Sequence, residues 1–260
     1  MSLEEFYRHF RWWMEPEDER AVERFRAIER FFQGQGKASS VLDLCAGTGI
    51  AGVAAAKALS ASKLTLVEAR ADDLTKVHEW VEIAGISPEV KTVAGDVLGL
   101  PFLVGEHDVA LLWGHSMPHF DPFQAVKLFA GVALVLTDGG RFFVEETDRI
   151  HGFFYRSTYQ RFRVEAHDEG SSIISLYEGY DVKRGMEKRG YYRVPGFEKV
   201  TRKELRPWDL ASQLAIGGIF FKKTELITPE EHGVNGVSEV LVFSEPRKVL
   251  IENMYPNTPF

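Results

Sequence analysis

The 260-residue sequence has little cysteine and no long apolar run, and both shortages limit the classes of protein to which it can belong. A single cysteine, Cys45, excludes an internal disulfide and a cysteine-based metal cluster. No apolar segment reaches the roughly 18 residues that a membrane-spanning helix needs. The first residues, MSLEEFYRHFRWW, also lack the apolar run of a secretory signal peptide. We therefore expect a cytoplasmic protein without a membrane partner.

Basic residues are also too few for a typical nucleic-acid-binding protein. The sequence has 31 Lys and Arg against 38 Asp and Glu, which gives a net charge of −7. Its basic clusters are interleaved with acidic residues, a pattern typical of a solvated helix face. Because binding to a phosphate backbone usually requires a basic surface, we expect no nucleic-acid partner.

The first part of the chain alternates between apolar strand-like segments and helical segments. The five predicted strands are residues 41–45, 63–69, 90–96, 107–114 and 139–147. Strands that alternate with helices predict a parallel sheet with right-handed crossovers.

After residue 147 the pattern changes. Residues 153–166, 171–181 and 187–195 are strand-like, rich in aromatic and β-branched residues, and separated by turn signals. A helix is predicted near 206–218, followed by two strands with a short loop between them. The prediction is an α/β fold: a Rossmann-like seven-stranded sheet with a C-terminal antiparallel hairpin, an inserted antiparallel β lid and N-terminal helices. The predicted segments are 1–36 (N-terminal helical lid segment), 37–150 (cofactor-binding Rossmann-like core), 151–204 (inserted antiparallel substrate lid) and 205–260 (completion of the core sheet).

The stretch VLDLCAGTGIAG, residues 41–52, contains the spacing G-x-G-x-x-G in Gly47, Gly49 and Gly52. In a dinucleotide-binding fold this turn places a pyrophosphate at a helix N-terminus. Asp43, just before the glycines, would repel a phosphate, so it favours a ligand with a cationic end. S-adenosylmethionine has an ammonium and a sulfonium group and no phosphate. Gly52 is then interpreted as a small residue that lets helix and strand pack closely.

The chain resembles the class I S-adenosylmethionine-dependent methyltransferases. Their first motif, hydrophobic-hydrophobic-Asp-x-x-x-Gly-x-Gly, is matched by Val41, Leu42, Asp43, Gly47, Thr48 and Gly49. Many relatives have a further glycine where this chain has Cys45. The resemblance implies that Asp43, Cys45, Ala46, Gly47 and Gly49 contact the cofactor. Cys45 would do so through its backbone carbonyl, since nothing indicates a reactive thiol.

Three further motifs of that family have counterparts at the ends of later strands. The resemblance implies that Glu68, with Ala69 beside it, accepts hydrogen bonds from the ribose hydroxyls. It implies that Asp96 holds the adenine amino group while Val97 covers the ring, and that Trp113 lies at the fourth motif. The alternative is that the two acids are solvated strand ends and that Trp113 belongs to the core.

The inserted antiparallel strands and the aromatic N-terminal helix resemble small-molecule methyltransferases of the glycine N-methyltransferase kind. The resemblance implies methyl transfer from S-adenosylmethionine to a small-molecule acceptor by in-line displacement. An RNA or protein acceptor is the next alternative within the methyltransferases. Outside them, the alternatives are an NAD-dependent oxidoreductase and a non-catalytic S-adenosylmethionine-binding module.

Two histidines follow the fourth strand, where the transferred methyl group is expected to point. His115 or His119 is a candidate base, because histidine titrates near neutral pH. A metal site would require a helix to bring the two rings together, and Pro118 between them opposes that geometry. We predict no bound metal. Packing within the loop is the remaining alternative.

The N-terminal segment FYRHFRWW supplies two more candidates. Arg11 is predicted to bind the methionine carboxylate of the cofactor in bidentate fashion, and Tyr7 to orient the acceptor. An ordinary amphipathic helix that packs on the sheet is the alternative interpretation.

Overall fold

The computed structural model describes residues 16–168 and 170–254, which fall into two compact units. The first, here the core unit, comprises residues 16–116, 126–147 and 210–254. The second, here the antiparallel unit, comprises residues 117–125 and 148–209. The segment boundaries predicted from the sequence stay a prediction.

The strands of the described residues, in chain order, are β1 (Ser40–Leu44), β2 (Lys63–Glu68), β3 (Glu89–Ala94), β4 (His107–Leu112), β5 (Leu136–Glu146), β6 (Phe162–Asp168), β7 (Ser171–Asp181), β8 (Met186–Val194), β9 (Glu198–Leu205), β10 (Phe221–Ile227) and β11 (Glu239–Pro246). The α-helices are α1 (Glu19–Gln33), α2 (Ile50–Leu59), α3 (Val77–Ala84), α4 (Leu100–Leu103), α5 (Pro122–Leu134), α6 (Arg149–Tyr155), α7 (Leu210–Phe220), α8 (Pro229–His232) and α9 (Lys248–Met254).

The core unit is built on a seven-stranded sheet with the order β10-β11-β5-β4-β1-β2-β3. The pairs among β1 to β5 are parallel, whereas β11 is antiparallel to both β5 and β10. This confirms the predicted parallel sheet and its C-terminal antiparallel pair. The interior strand β1 is buried along its whole length, as expected for a sheet covered on both faces.

The antiparallel unit contains a four-stranded sheet, β6-β7-β8-β9, in which every pair is antiparallel. The predicted antiparallel insertion is therefore confirmed, but part of the sequence prediction was wrong. Residues 149–155 form helix α6, where the aromatic run had indicated the start of a strand. The Asp148 side chain accepts a hydrogen bond from the His151 amide at 2.7 Å and so caps this helix.

The structure differs from the sequence prediction in two further places. Strand β9 is mostly polar and charged and lacks the apolar signal used to predict strands, yet it pairs along β8. The predicted short loop between β10 and β11 includes helix α8, whose N-terminus has a capping box formed by Thr228 and Glu231.

Aromatic packing supplies much of the core unit's interior. Phe25 of α1 stacks on Trp80 of α3, with ring centroids 5.5 Å apart. Such pairs contribute about 0.5–1.5 kcal/mol beyond the area that they bury. Within the described ranges, no helix is both long and apolar enough to cross a membrane.

Candidate functional site

Acidic residues lie at the carboxyl ends of three neighbouring strands of the core unit. Asp43 is the penultimate residue of β1, Glu68 ends β2, and Asp96 follows β3 by two residues. The parallel register places Leu44 opposite Val67 and Glu68 opposite Ala94. The three acidic positions therefore share one edge of the sheet, the edge at which open α/β folds bind ligands.

The glycine turn after β1 has an unusual backbone conformation. Cys45, Gly47 and Gly49 all have positive φ angles, of 54°, 54° and 88°. A Cβ atom at Gly49 would lie 2.9 Å from side-chain carbons of both Leu66 and Val77, so a larger residue would not fit. The turn therefore depends on glycine, and helix α2 begins directly after it.

Asp43 is almost completely buried, with 1% of its surface exposed. Its Oδ2 accepts a hydrogen bond from the Gly52 amide at 2.7 Å. Burial, assisted by the negative charge of Glu68 and opposed by the Gly52 hydrogen bond, raises its pKa to about 7. A Cβ atom at Gly52 would lie 2.7 Å from Oδ2, which confirms that glycine permits the close approach of helix and strand. Asp43 thus caps α2, and its contact with a ligand stays a prediction.

Glu68 holds the glycine turn against the end of β2. Its Oε2 accepts a hydrogen bond from the Gly47 amide at 2.8 Å, and its Oε1 accepts from the Arg70 amide at 3.0 Å. The Arg70 guanidinium also lies 3.3 Å from Oε1 and pairs with Asp73. The sequence analysis did not anticipate that Glu68 organises the turn. A carboxylate has about four acceptor positions, so this contact is compatible with a predicted role towards hydroxyl groups.

The third acid of this edge is exposed. The Asp96 side chain accepts a hydrogen bond from the Leu98 amide at 2.9 Å and caps the short 3₁₀ turn that follows. Val97 beside it is buried, as is Ala46 of the glycine turn, whereas Ala69 is exposed. The predicted roles of these residues in cofactor binding stay predictions.

Cys45 is the one cysteine of the sequence and lies within this turn. Burial, together with the nearby carboxylates Glu68, Asp43 and Asp96, raises the pKa of its thiol. Since the thiolate is the reactive form, a raised pKa makes this thiol inert at neutral pH.

Trp113 follows β4 and packs into the aromatic core. Its ring centroid lies 5.5 Å from that of Phe31 and 5.1 Å from that of Phe32. Its buried indole Nε1 has no hydrogen-bond partner among the described residues. These contacts are the ones expected if Trp113 packs in the hydrophobic core, which was the alternative interpretation of this residue. A role for Trp113 in a cofactor pocket stays a prediction.

His115, also after β4, is held through both ring nitrogens. Its Nδ1 lies 3.2 Å from Oε1 of Glu146, and its Nε2 lies 3.3 Å from the Ser238 hydroxyl. The His115 side chain is 32% exposed, whereas that of Glu146 is 0% exposed. The backbone of His115 has a φ of 61°, a left-handed conformation that is uncommon outside glycine. A strained backbone of this kind often marks a functional position.

Glu145, the neighbour of Glu146 on β5, ties together the segments that hold His115. Its carboxylate accepts hydrogen bonds from the Gly114 and Ser238 amides, each at 3.1 Å. It also pairs with Arg24 of α1. Glu145 therefore binds both Gly114, which precedes His115, and Ser238, whose hydroxyl contacts Nε2 of His115.

The other predicted catalytic residues are placed differently. His119 lies in a 3₁₀ turn, Met117–His119, which belongs to the antiparallel unit. His115 is therefore the candidate base that shares a unit with the acidic edge. Tyr7 and Arg11 lie outside the described residues.

The sequence analysis missed Glu145, Glu146 and Ser238. For the two glutamates a signal was present, since the apolar strand GGRFFVEET ends in two acids just as β2 ends in Glu68. Ser238 had no signal, because it lies 123 residues from His115 in the sequence.

The chemistry of this edge suits S-adenosylmethionine. Carboxylates accept hydrogen bonds from ammonium, hydroxyl and amino groups, all of which that cofactor carries. Asp43, Glu68 and Asp96 are acceptors of this kind. A pyrophosphate would instead meet three carboxylates, with the nearby Arg70 already paired to Glu68 and Asp73.

Residues 41–140 match the family model described as a methyltransferase domain. The match begins at β1 and includes the glycine turn, Glu68, Asp96 and His115. No curated protein matches the chain in sequence.

Several solved structures share the fold. The PH0226 protein from Pyrococcus horikoshii OT3 is 18% identical, with 94% of this chain and 100% of that chain covered and a TM-score of 0.63. The CcbJ methyltransferase from Streptomyces caelestis is 16% identical, with coverages of 86% and 95% and a TM-score of 0.62. CalS10 from Micromonospora echinaspora, an amino pentose methyltransferase solved with bound S-adenosylmethionine, is 15% identical, with coverages of 92% and 94% and a TM-score of 0.55.

The domain match, the fold and the acidic edge agree. Residues 41–140 are similar to a methyltransferase domain, and solved S-adenosylmethionine-dependent methyltransferases share the fold of this chain.

Proposed function

We propose that this chain is an S-adenosylmethionine-dependent methyltransferase and that it methylates a small molecule whose accepting atom carries a removable proton, such as an amine, hydroxyl or thiol. The observation that carries the proposal is the partly exposed His115 imidazole bound to the buried carboxylate of Glu146. His115 follows β4, which pairs with β1, so it stands at the same edge of the sheet as Asp43 and Glu68. A positioned histidine at that place is suited to remove a proton from the acceptor.

Two further observations support a small acceptor. CalS10, which shares the fold, is an amino pentose methyltransferase. The net charge of −7 also opposes binding to a nucleic-acid backbone.

The cofactor supplies a methyl group bonded to a positively charged sulfur. In the proposed arrangement Asp43 and the carbonyl of Cys45 hold its ammonium, with Gly47 and Gly49 lining the turn. Glu68, beside Ala69, accepts from the ribose hydroxyls. Asp96 accepts from the adenine amino group, and Ala46 and Val97 supply apolar contacts. The carboxylates also favour the cationic tail electrostatically.

S-adenosylmethionine would supply the methyl group, with the acceptor's lone pair forming the new bond to the methyl carbon in line with the carbon–sulfur bond, whose electron pair would remain on sulfur. His115 would take the acceptor's proton. Fixing the line of approach and excluding water are expected to supply much of the acceleration, on the order of 7–11 kcal/mol for well-oriented reactions.

A metabolite screen tests this proposal. The purified protein is incubated with methyl-deuterated S-adenosylmethionine and fractionated metabolite pools, and the products are analysed by mass spectrometry. We expect one small molecule to gain the labelled methyl group, with loss of the product signal in Asp43→Asn and His115→Gln. Label found in RNA or protein, with none in small molecules, would overturn the proposed acceptor class.

A further inference from the structure

The hydrogen bond between His115 and Glu146 has a donor and an acceptor, and this assignment determines which ring nitrogen of His115 is basic. We infer that Glu146 is a positioning residue: it accepts a hydrogen bond from Nδ1 of His115, holds the proton there and leaves the lone pair on Nε2. The inference deepens the proposed function, in which His115 removes the acceptor's proton.

The contacts of the two ring nitrogens support this assignment. Oε1 of Glu146 accepts a hydrogen bond from the Thr147 amide, and this acceptor oxygen makes Nδ1 of His115, 3.2 Å away, the donor. Neutral imidazole has a single N–H, which leaves Nε2 as an acceptor. The Ser238 hydroxyl, 3.3 Å from Nε2, can donate to it. Both contacts are therefore satisfied by one tautomer, the form with Nδ1–H.

The backbone around Glu146 strengthens the acceptor role of the same oxygen. The Thr147 amide donates to Oε1 at 3.0 Å, so two donors converge on one carboxylate oxygen. This oxygen is fixed by its burial, while the imidazole that it orients remains partly exposed. A rigid buried acceptor that orients an exposed ring is the arrangement expected of a positioning residue.

The two groups that contact the ring differ in charge. Glu146 faces it from β5, and Ser238, which faces it from the segment before β11, is uncharged. Glu145 is paired with Arg24 and accepts the Gly114 and Ser238 amides. Glu146 is thus the carboxylate in direct hydrogen-bond contact with the ring.

The experiment reads the tautomer directly by long-range ¹H–¹⁵N correlation spectra of histidine-labelled protein, with neither cofactor nor acceptor present. His115→Gln identifies the His115 signals. We expect the protonated nitrogen to be Nδ1 in the wild type. Glu146→Gln retains an oxygen that accepts from Nδ1 and Thr147, so it is expected to keep this tautomer. Glu146→Leu removes the acceptor and is expected to shift the proton towards Nε2, whereas Ser238→Ala is not.

The kinetic readout separates positioning from cofactor binding. We expect Glu146→Leu to lower kcat by about 100-fold and Glu146→Gln by about tenfold, because the amide keeps the acceptor but loses the charge that stabilises a protonated imidazole. The Kd for S-adenosylmethionine should stay within about twofold in both variants.

A wild-type spectrum with the proton on Nε2, or a Glu146→Leu spectrum identical to that of the wild type, would overturn the inference. The wild-type spectrum decides the matter even where Glu146→Leu does not fold. Failure of the proposed function shows itself differently, as an absence of methylated small molecules from the wild-type enzyme.

Discussion

The two units of this chain treat buried charge in different ways. In the antiparallel unit, Arg189 is 1% exposed and lies 2.8 Å from Glu187, and it also donates to the hydroxyl and carbonyl of Ser175. In the core unit, the buried charges are mainly carboxylates that lie at one edge of the sheet. Asp43, which precedes the glycine turn and is 1% exposed, accepts a hydrogen bond from the Gly52 amide instead of pairing with a cation.

This difference separates Asp43 from the ion-paired acids of both units, which in the core unit include Glu68 with Arg70 and Glu145 with Arg24. A buried cation beside its carboxylate is already neutralised and has little left to offer a ligand. A buried carboxylate that is bonded to an amide keeps most of its charge penalty, as the raised pKa of Asp43 shows. Binding a cationic ligand would relieve that penalty.

The largest expected effect concerns the pair in the antiparallel unit. Arg189→Met leaves Glu187 buried without its cation and should destabilise the unit by about 3–5 kcal/mol. Urea unfolding, with hydrogen exchange to localise the loss to β7 and β8, measures it. The double variant Glu187→Met/Arg189→Met should recover most of the loss. A single variant as stable as the wild type would show that the pair contributes no net stability.

The matching change at the acidic edge is Asp43→Asn. It retains an oxygen that accepts the Gly52 amide but removes the charge, so the affinity for S-adenosylmethionine should fall by about 100-fold, or about 3 kcal/mol. The pKa of Asp43 is raised in the folded chain, so the ionised carboxylate costs stability that grows as pH rises towards 7. Above that pH the free energy of unfolding should therefore be larger for the variant than for the wild type, by at most about 4 kcal/mol. The variant should accordingly unfold at a higher temperature.

Calorimetry with S-adenosylmethionine and thermal denaturation at about pH 8 test both parts of this prediction. Unchanged affinity in Asp43→Asn would remove the residue from the cofactor site. A lower unfolding temperature would show that the charge stabilises the fold.

The pH dependence of binding gives a smaller effect with a defined sign. The pKa of Asp43 is about 7 in the free protein, so its ionised fraction falls as pH drops below 7. The affinity for the ammonium of the cofactor should then decrease by about tenfold per pH unit below 7. Titrations between about pH 7.5 and about pH 5.5 measure this slope, with Asp43→Asn as the control that lacks it. Equal slopes for the two proteins would assign the pH dependence to another group.

The smallest expected effect concerns the close approach behind Asp43. Gly52→Ala would place a Cβ atom 2.7 Å from Oδ2 and 2.8 Å from Cβ of Asp43, so we expect a loss of about 1–3 kcal/mol. Gly105→Ala, where an added Cβ meets nothing within 4 Å, is the matched control. In an Asp43→Ala background the cost of Gly52→Ala should shrink but not vanish, because the crowded oxygen is absent while Cβ of residue 43 remains. Equal costs in both backgrounds would show that the strain does not come from the carboxylate.

Most of the fold follows from local patterns in the sequence. The alternation of apolar strands and helices predicted β1 to β5, and the aromatic and β-branched segments predicted β6, β7 and β8. The last residues of helix α6, 153–155, were predicted as the start of a strand, because their aromatic side chains outweighed the capping signal of Asp148. Strand β9 was missed, because its partner on β8 stabilises it without an apolar pattern of its own.

The candidate site divides in the same way. Asp43, Glu68 and Asp96 were identified because each belongs to a motif of a few consecutive residues that ends a strand. The sequence by itself thus determined the parallel sheet, the glycine turn and the motifs behind the proposed cofactor, since all three depend on neighbours in the chain. Only the tertiary structure brought His115 to Glu146, 31 residues away, and to Ser238, 123 residues away. Such contacts depend on the order of the strands in the sheet, which is a property of long-range packing and has no local signature.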